Sequence, residues 1–285
     1  MKICKNKSEL EATLQLLRNS GKTIGLVPTM GALHQGHASL LQRARQENDI
    51  VVSSVFVNPI QFNNPEDLQN YPRNFESDCK LLEENGCDLV FSPTVEEMYP
   101  KGESIEHFDF GSLEKVMEGK NRPGHFQGVG VIVSRLFKLI QPSTAYFGEK
   151  DFQQVAIIQN LVEQLHLPIT IKPCPIIRES DGLALSSRNV LLTKDQRTLA
   201  PNIYKILYES KKKRHNTEVI ELKKWVENEI EKYPQMKLEY FEIANSRTMQ
   251  SIKTWSEASE QVGCIVVAFQ KIRLIDNIRY DNNLK

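Results

Sequence analysis

At 285 residues the chain has room for two modest domains, each able to bury its own core. Lysine plus arginine equals aspartate plus glutamate at 36 each, which leaves no global field to draw in nucleic acid or an anionic membrane surface and favours a small-molecule partner. Cys4, Cys79, Cys87, Cys174 and Cys264 are scattered, odd in number and without a C-x-x-C pair, which suits reduced thiols in a cytoplasm; no apolar run approaches the ~20 residues of a membrane span, and Met1–Lys5 lacks a signal-peptide core.

In chain order, Leu10, Leu14 and Leu17 predict a helix over Ser8–Arg18, with Ser8 as N-cap and Gly21 just past its end. Ile24–Val27 reads as a buried strand and Gly36–Gln46 as a helix with Leu40, Leu41 and Ala44 on one face. Between them lies Pro28-Thr29-Met30-Gly31-Ala32-Leu33-His34-Gln35-Gly36-His37. A strand, a small-residue turn and a helix start make a phosphate site, because the first N–H groups of a helix lack intrahelical partners and carry partial positive charge. His34 and His37 share one helical turn, where imidazoles can bond phosphate oxygens and offset charge building on a leaving group. The same pair also fits a metal site or plain surface residues. G-x-G-x-x-G and the P-loop are missing, and no H-E-x-x-H or Cys cluster offers a third metal ligand.

Ile50–Val57 is a near-continuous β-branched run, as expected of a parallel strand buried on both faces, and it delivers Asn58, Pro59 and Gln61 at its carboxyl end. A helix over Phe75–Asn85 and a strand over Asp88–Phe91 follow, then alternation at Ile105–Phe110 that fits a small strand or hairpin. Arg122 and His125 precede an apolar helix, Val129–Ile140. Ala145–Phe147 is the next strand and ends at Gly148-Glu149-Lys150-Asp151 before a helix over Phe152–Leu165. Lys150 is placed there to clamp an anion, and Asp151 to accept from a sugar hydroxyl or hold hydrated Mg²⁺. Ile169–Ile171 is a fifth strand, and this alternation predicts a doubly wound α/β domain over residues 1–176.

Ser186-Ser187-Arg188 joins two hydroxyls to a guanidinium suited to a bidentate grip on phosphate, although such a tripeptide is common in surface loops. Beyond it, amphipathic stretches at Lys194–Lys213 and Glu218–Tyr233, a solvated helix end at Lys211–Arg214, and strands at Lys237–Ala244, Cys264–Gln270 and Ile272–Ile275 predict a smaller α+β domain over residues 177–285 that covers the site or makes a subunit contact.

Six ordered motifs resemble the pantoate–β-alanine ligase (pantothenate synthetase) family over essentially the whole chain. They are Pro28–His37, Phe56-Val57-Asn58-Pro59-Ile60-Gln61-Phe62, Tyr71-Pro72-Arg73, Arg122-Pro123-Gly124-His125-Phe126, Gly148–Gln154 and Asp181–Asn189. The histidine element alone would indicate only the wider nucleotidylyltransferase superfamily. The resemblance implies a Rossmann-like nucleotide- and pantoate-binding domain, a cytoplasmic homodimer, and ATP-dependent condensation of pantoate with β-alanine to pantothenate, on the way to coenzyme A, through pantoyl adenylate. Mg²⁺ would accompany ATP.

By that resemblance His34, His37, Lys150 and Arg188 are catalytic, with His37 the better candidate to donate to the leaving group. ATP would be met by Met30, Gly31, Ala32, Leu33, His34, Gln35, Gly36, His37, Gly148, Glu149, Lys150, Asp151, Ile177, Leu185, Ser186, Ser187 and Arg188. Gln61 and Gln154 resemble the pantoate-binding glutamines, Asn58 and Arg122 stand at positions near the β-alanine pocket, and Met30 is the candidate wall for pantoate's methyls. No protein metal ligands are implied. Two departures are small: Leu185 stands where the family has Met, an apolar swap of similar volume, and Phe152 where it often has Tyr. A nucleotidylyltransferase that leaves the nucleotide on its product shares the histidines but needs neither the paired glutamines nor a second acceptor pocket. A nucleotide-sensing or RNA-binding module would want a basic surface, which the zero net charge does not provide.

Overall fold

The computed structural model describes residues Met1–Tyr280. In chain order the elements are β1 (Lys2–Cys4), α1 (Lys7–Asn19), β2 (Ile24–Thr29), α2 (Gln35–Glu47), β3 (Ile50–Val55), α3 (Pro65–Asn70), α4 (Phe75–Glu84), β4 (Leu89–Phe91), α5 (Val95–Met98), α6 (Met117–Asn121), α7 (His125–Ile140), β5 (Thr144–Gly148), α8 (Phe152–Gln164), β6 (Thr170–Cys174), α9 (Lys194–Leu199), α10 (Asn202–Lys213), α11 (Val219–Glu231), β7 (Lys237–Asn245), β8 (Gln261–Phe269) and β9 (Ile272–Arg279). Contacts divide them into two units: Met1–Phe110 with Arg122–Glu149 and Ile157–Pro175, and Gly111–Asn121 with Lys150–Ala156 and the chain from Ile176 onward.

Among the described residues the first unit holds a six-stranded parallel sheet of order β1-β4-β3-β2-β5-β6. The doubly wound α/β expectation holds. Every residue of β3 is buried, which is why its sequence reads as a near-continuous apolar run, and the buried Ser53 hydroxyl is met by the Val27 carbonyl at 2.9 Å. Val27, Val51 and Val90 from the sheet pack with Leu40, Leu41 and Ala44 of α2. The strand order reverses direction between β2 and β5, and ligands of open parallel sheets bind in the crevice beyond the carboxyl ends of two such strands. Those ends are Thr29 and Gly148. Pro28, with no N–H to give, lies beyond Gly25 and Leu26, where β2 pairs with β5.

The second unit holds an antiparallel sheet of order β7-β8-β9. Ile265, Val267 and Phe269 of β8 face a core with Ile203 and Leu207 of α10 and Leu222 and Val226 of α11. The alternate residues Val262 and Cys264 join Met117, Phe152 and Met249 on the other face. Both faces are covered, so β8 too reads as continuously apolar.

Several local expectations need correction. Asn6, not Ser8, caps α1, its side chain accepting from the Glu9 N–H at 2.9 Å. β1, too short to show a pattern, pairs with β4 and makes six strands where five were expected. β3 ends at Val55 rather than Val57, and β6 runs on through Pro173, which an edge strand tolerates. Ile105–Phe110 is no strand: its alternation reflects Phe108 and Phe110 burying against Gly130 of α7, and the Gln127 side chain takes the Phe108 N–H and C=O that a partner strand would have met. The stretch Lys194–Lys213 breaks into α9 and α10 at Pro201, whose ring cannot continue a helix. Lys211–Lys213 do close α10, but Arg214 is half-buried, bonding Gln261 Oε1 at 3.0 Å and lying over Trp255.

Candidate active site

The turn after β2 is built around a carboxylate that sequence reading missed. Gly31 and Ala32 both take left-handed backbone, φ 81° and φ 50°, and Ala32 does so against its own Cβ. Asp78, on the first turn of α4 and only 3 % exposed, accepts from the Ala32 N–H at 3.0 Å and the Leu33 N–H at 2.7 Å. A Cβ at Gly31 would lie 2.9 Å from Asp78 Oδ2, so only glycine fits there. Burial pushes the Asp78 carboxyl above its ordinary value, while those two N–H groups pull it back.

The turn delivers His34 as N-cap of α2. Its Nδ1 accepts from the Gly36 N–H at 3.1 Å, and Nδ1 of His37, at the third helical position, accepts from the His34 N–H at 3.3 Å. Two imidazoles thus fill the roles that Ser or Thr and Glu or Gln fill in the usual capping box. The rings lie 4.2 Å apart between centroids. An Nδ1 that accepts carries no proton, so each neutral ring holds its proton on Nε2. Either histidine can therefore donate to a phosphate oxygen without first being protonated.

After β3, a 3-10 turn at Pro59–Gln61 brings Asn58 and Gln61 against α7. Asn58, 1 % exposed, donates from Nδ2 to Gln61 Oε1 at 2.9 Å and to the Gly128 carbonyl at 3.0 Å, and its Oδ1 accepts from the Tyr99 hydroxyl at 2.6 Å. Gln61 donates from Nε2 to Met30 Sδ at 3.2 Å. The Gln61 carbonyl accepts from Arg122 Nη2 at 3.4 Å and lies 2.8 Å from His125 Nδ1. Arg122 Nη1 stands 3.1 Å from His125 Nε2; since a guanidinium only donates, His125 carries its proton on Nδ1 and gives it to the Gln61 carbonyl. Met30, Asn58, Gln61 and Arg122 are thus linked in the first unit, which also carries Gly148 at the end of β5 and Glu149 just after it.

The other expected residues belong to the second unit. Lys150, whose ammonium is 3.7 Å from Asp151, has its carbonyl held by Asn277 Nδ2 at 3.1 Å. Gln153 fixes the start of α8 through the Leu113 and Val116 carbonyls and the Glu118 N–H, and Gln154 is half-buried in the same turn. The loop bearing Ser186–Arg188 closes on a bridge between Arg178 and Ala184 and on the Leu185 N–H donating to the Ile177 carbonyl at 3.0 Å. Arg178 grips Asp276 of β9 with two bonds of 2.6 and 2.9 Å and stacks on Tyr204 at 3.7 Å. Ser186 caps a 3-10 turn, accepting from the Arg188 N–H at 3.2 Å, so its carboxyl neighbours are held rather than loose. Sequence reading missed Asp78, Tyr99, Gly128, Arg178 and Asp276, which carry no motif signal of their own; a glycine within an apolar helix is the one sign that could have found Gly128.

Among the described residues no group of three or more His, Cys, Asp or Glu is placed to hold a metal ion, and no helix is long and apolar enough to cross a membrane.

Relatives of this chain are known by sequence and by structure. The model of the family described as pantoate-beta-alanine ligase matches residues 2–279. The pantothenate synthetase of Porphyromonas gingivalis W83 is 51 % identical over 284 residues, covering 99 % of this chain and all of that one, and that of Bacteroides thetaiotaomicron is 51 % identical over 280 residues, covering 98 % and 99 %. A crystal structure of the Thermus thermophilus pantothenate synthetase superposes with a TM-score of 0.92 at 42 % identity, covering 99 % of this chain and 100 % of that one. A Francisella tularensis pantoate-beta-alanine ligase, complexed with Beta-gamma ATP and Beta-alanine, gives 0.80 at 36 % identity over 98 % and 97 %. The chain therefore belongs to the pantoate–β-alanine ligase family.

Proposed function

We propose that the chain condenses pantoate with β-alanine at the cost of ATP. A pantoate carboxylate oxygen attacks the α-phosphorus, the bond from that phosphorus to the β-phosphate bridging oxygen breaks, and pyrophosphate leaves. The β-alanine amine, having lost a proton, then attacks the acyl carbon and expels AMP, leaving pantothenate. Both nucleophiles come from substrates, so the protein supplies positioning and charge stabilisation rather than a covalent intermediate.

Membership of the ligase family over residues 2–279 is the observation that carries this reading. On it, His34 and His37 donate through Nε2 to phosphate oxygens, His37 to the departing pyrophosphate, and the start of α2 adds its partial positive charge. Lys150, Ser186, Ser187 and Arg188 hold phosphates as fixed donors. Met30–Leu33, Gln35, Gly36, Gly148, Glu149, Asp151, Ile177 and Leu185 contribute the remaining ATP contacts. Gln61 and Gln154 bind pantoate with Met30 against its methyls, Arg122 serves the β-alanine side, and Asn58, expected there too, is 1 % exposed and serves the site through Gln61. Mg²⁺ accompanying ATP would offset negative charge on the phosphates, and Asp151 is the acidic side chain that would hold its hydration shell. The working form is a homodimer in the cytoplasm.

Incubation with ATP and pantoate tests the reading. Pyrophosphate release is expected with pantoate alone, and free AMP only once β-alanine is added. A stable nucleotidylated product that β-alanine does not consume would favour the simple nucleotidylyltransferase instead.

A further inference from the structure

We infer that Tyr99 is a positioning residue for the acid substrate: with the Gly128 carbonyl it locks Asn58, and through Asn58 it fixes the Gln61 amide as a hydrogen-bond donor toward pantoate. The inference rests on the reading that Gln61 binds pantoate.

Each amide orientation follows from one group that cannot reverse its role. A backbone carbonyl only accepts, so the Asn58 end 3.0 Å from the Gly128 carbonyl is the NH₂ end. The opposite end is then Oδ1, and the Tyr99 hydroxyl 2.6 Å away must donate to it. The second Asn58 N–H goes to Gln61 at 2.9 Å, so the Gln61 atom there is Oε1. What remains of the Gln61 side chain is its NH₂ group, on the side of Met30. The order of command runs from Gly128 and Tyr99 to Asn58 and then to Gln61. A Gln otherwise free to flip could present either oxygen or nitrogen to a hydroxy acid; here it presents nitrogen, suited to the carboxylate and hydroxyl oxygens of pantoate.

The anchors are themselves held. Burial pushes the Tyr99 phenol well above its ordinary value, so it keeps its proton and stays a donor. Tyr99 closes α5, its backbone N–H donating to the Val95 carbonyl at 2.7 Å, and its ring lies under the Arg135 guanidinium at 4.8 Å. At Gly128 a Cβ would come within 2.6 Å of Gln61 Cα and of the Ile60 carbonyl, so the approach of α7 to the 3-10 turn needs glycine. Asn58, 1 % exposed, has almost no surface to offer a ligand and acts chiefly through Gln61.

A double-mutant cycle on the whole enzyme tests this. Tyr99→Phe removes one hydroxyl and keeps the ring; it should raise KM for pantoate about fivefold, the worth of one neutral hydrogen bond, and leave KM for ATP within about twofold. In a Gln61→Ala background the same change should do nothing further to pantoate KM, an outcome that a general loosening of the fold would not give. Gln61→Glu supplies a second arm independent of Tyr99 folding: Asn58 holds one carboxylate oxygen and the other replaces the donor, so pantoate KM should rise beyond that of Gln61→Ala. An unchanged pantoate KM in Gln61→Ala overturns the pantoate reading and this proposal with it. A raised KM there, with Tyr99→Phe unaltered, equally harmful in both backgrounds, or Gln61→Glu no worse than Gln61→Ala, overturns the relay alone.

Discussion

Asp78 is the residue whose replacement should reveal most about how the histidines are presented. Its two oxygens each take one N–H, from Ala32 at 3.0 Å and from Leu33 at 2.7 Å, and together they hold a backbone turn that Ala32 enters at φ 50°. Asn at this position offers a single accepting oxygen, and its NH₂ end would face the other N–H. A hydrogen bond to a charged group contributes ~1.5–3 kcal/mol, and leaving its partner buried and unmet costs ~1–3 kcal/mol. The raised Asp78 carboxyl shows that burial outweighs the two bonds, so removing the charge returns part of that loss. The net for Asp78→Asn is therefore about 2 kcal/mol. At ~2.1 cal/mol/K per residue of unfolding entropy, that lowers Tm by roughly 3–4 °C. The larger effect should fall on chemistry, because a displacement of about 1 Å in the entry to α2 moves both imidazoles and costs ~10²-fold in rate. Single-turnover release of pyrophosphate from ATP and pantoate reads it directly. A variant with unchanged Tm and an adenylation rate within about twofold of the parent would refute the assignment of Asp78 as the turn's anchor.

Other predictions concern neighbouring parts of the molecule. His37→Gln keeps an acceptor at the third position of α2 for the His34 N–H but loses the imidazole, and should slow adenylate formation by ~10²-fold, about 3 kcal/mol, with stability little changed; burst kinetics separate the two. Gln154→Ala should raise KM for pantoate and leave that for ATP nearly unaltered, which steady-state kinetics at saturating co-substrate would show. Glu47, bonded to Arg43 at 3.0 Å and accepting from Tyr146 at 2.9 Å, has its carboxyl held below the ordinary value, first by Arg43. Its stabilisation is present above the unfolded value of ~4.3 and is lost as pH falls through the folded one, so the deficit of Glu47→Gln should be full at neutral pH and shrink in acid denaturation series. Burial pushes the Cys87 and Cys264 thiols up to about 12, and both should resist a thiol reagent at neutral pH while half-exposed Cys79 reacts first; rapid labelling of either buried thiol in native protein would contradict their packing.

The parts of the fold that were readable from sequence are those where one residue type answers one physical demand. The Val- and Ile-rich run of β3 announces a strand buried on both faces, and Gly31 ahead of a helix start announces the turn found there, with left-handed backbone at φ 81°. What escaped is long-range pairing. Asp78 stands 46 residues from Ala32 and belongs, by its own neighbourhood, to the first turn of an ordinary helix, where an acidic residue needs no special explanation. Tyr99 lies 41 residues from Asn58, and the Asn58 amide gives no sign in sequence that its donors go to Gly128 and Gln61 rather than to a ligand. His34 and His37 suggested a phosphate site, but their capping role, which sets the tautomer, shows only when both Nδ1 atoms are seen accepting backbone N–H groups. The alternation at Ile105–Phe110 misled because period two marks one face buried against anything, and here that face packs on a helix.

The claim on which all else depends is that the pantoate carboxylate itself attacks the α-phosphorus. Pantoate labelled with ¹⁸O in its carboxylate, turned over with ATP and β-alanine, tests this by mass spectrometry of the nucleotide. AMP should carry one labelled oxygen per pantothenate formed, since the oxygen bridging acyl carbon and phosphorus leaves with AMP. Unlabelled AMP, or label found in pyrophosphate or inorganic phosphate, would contradict it.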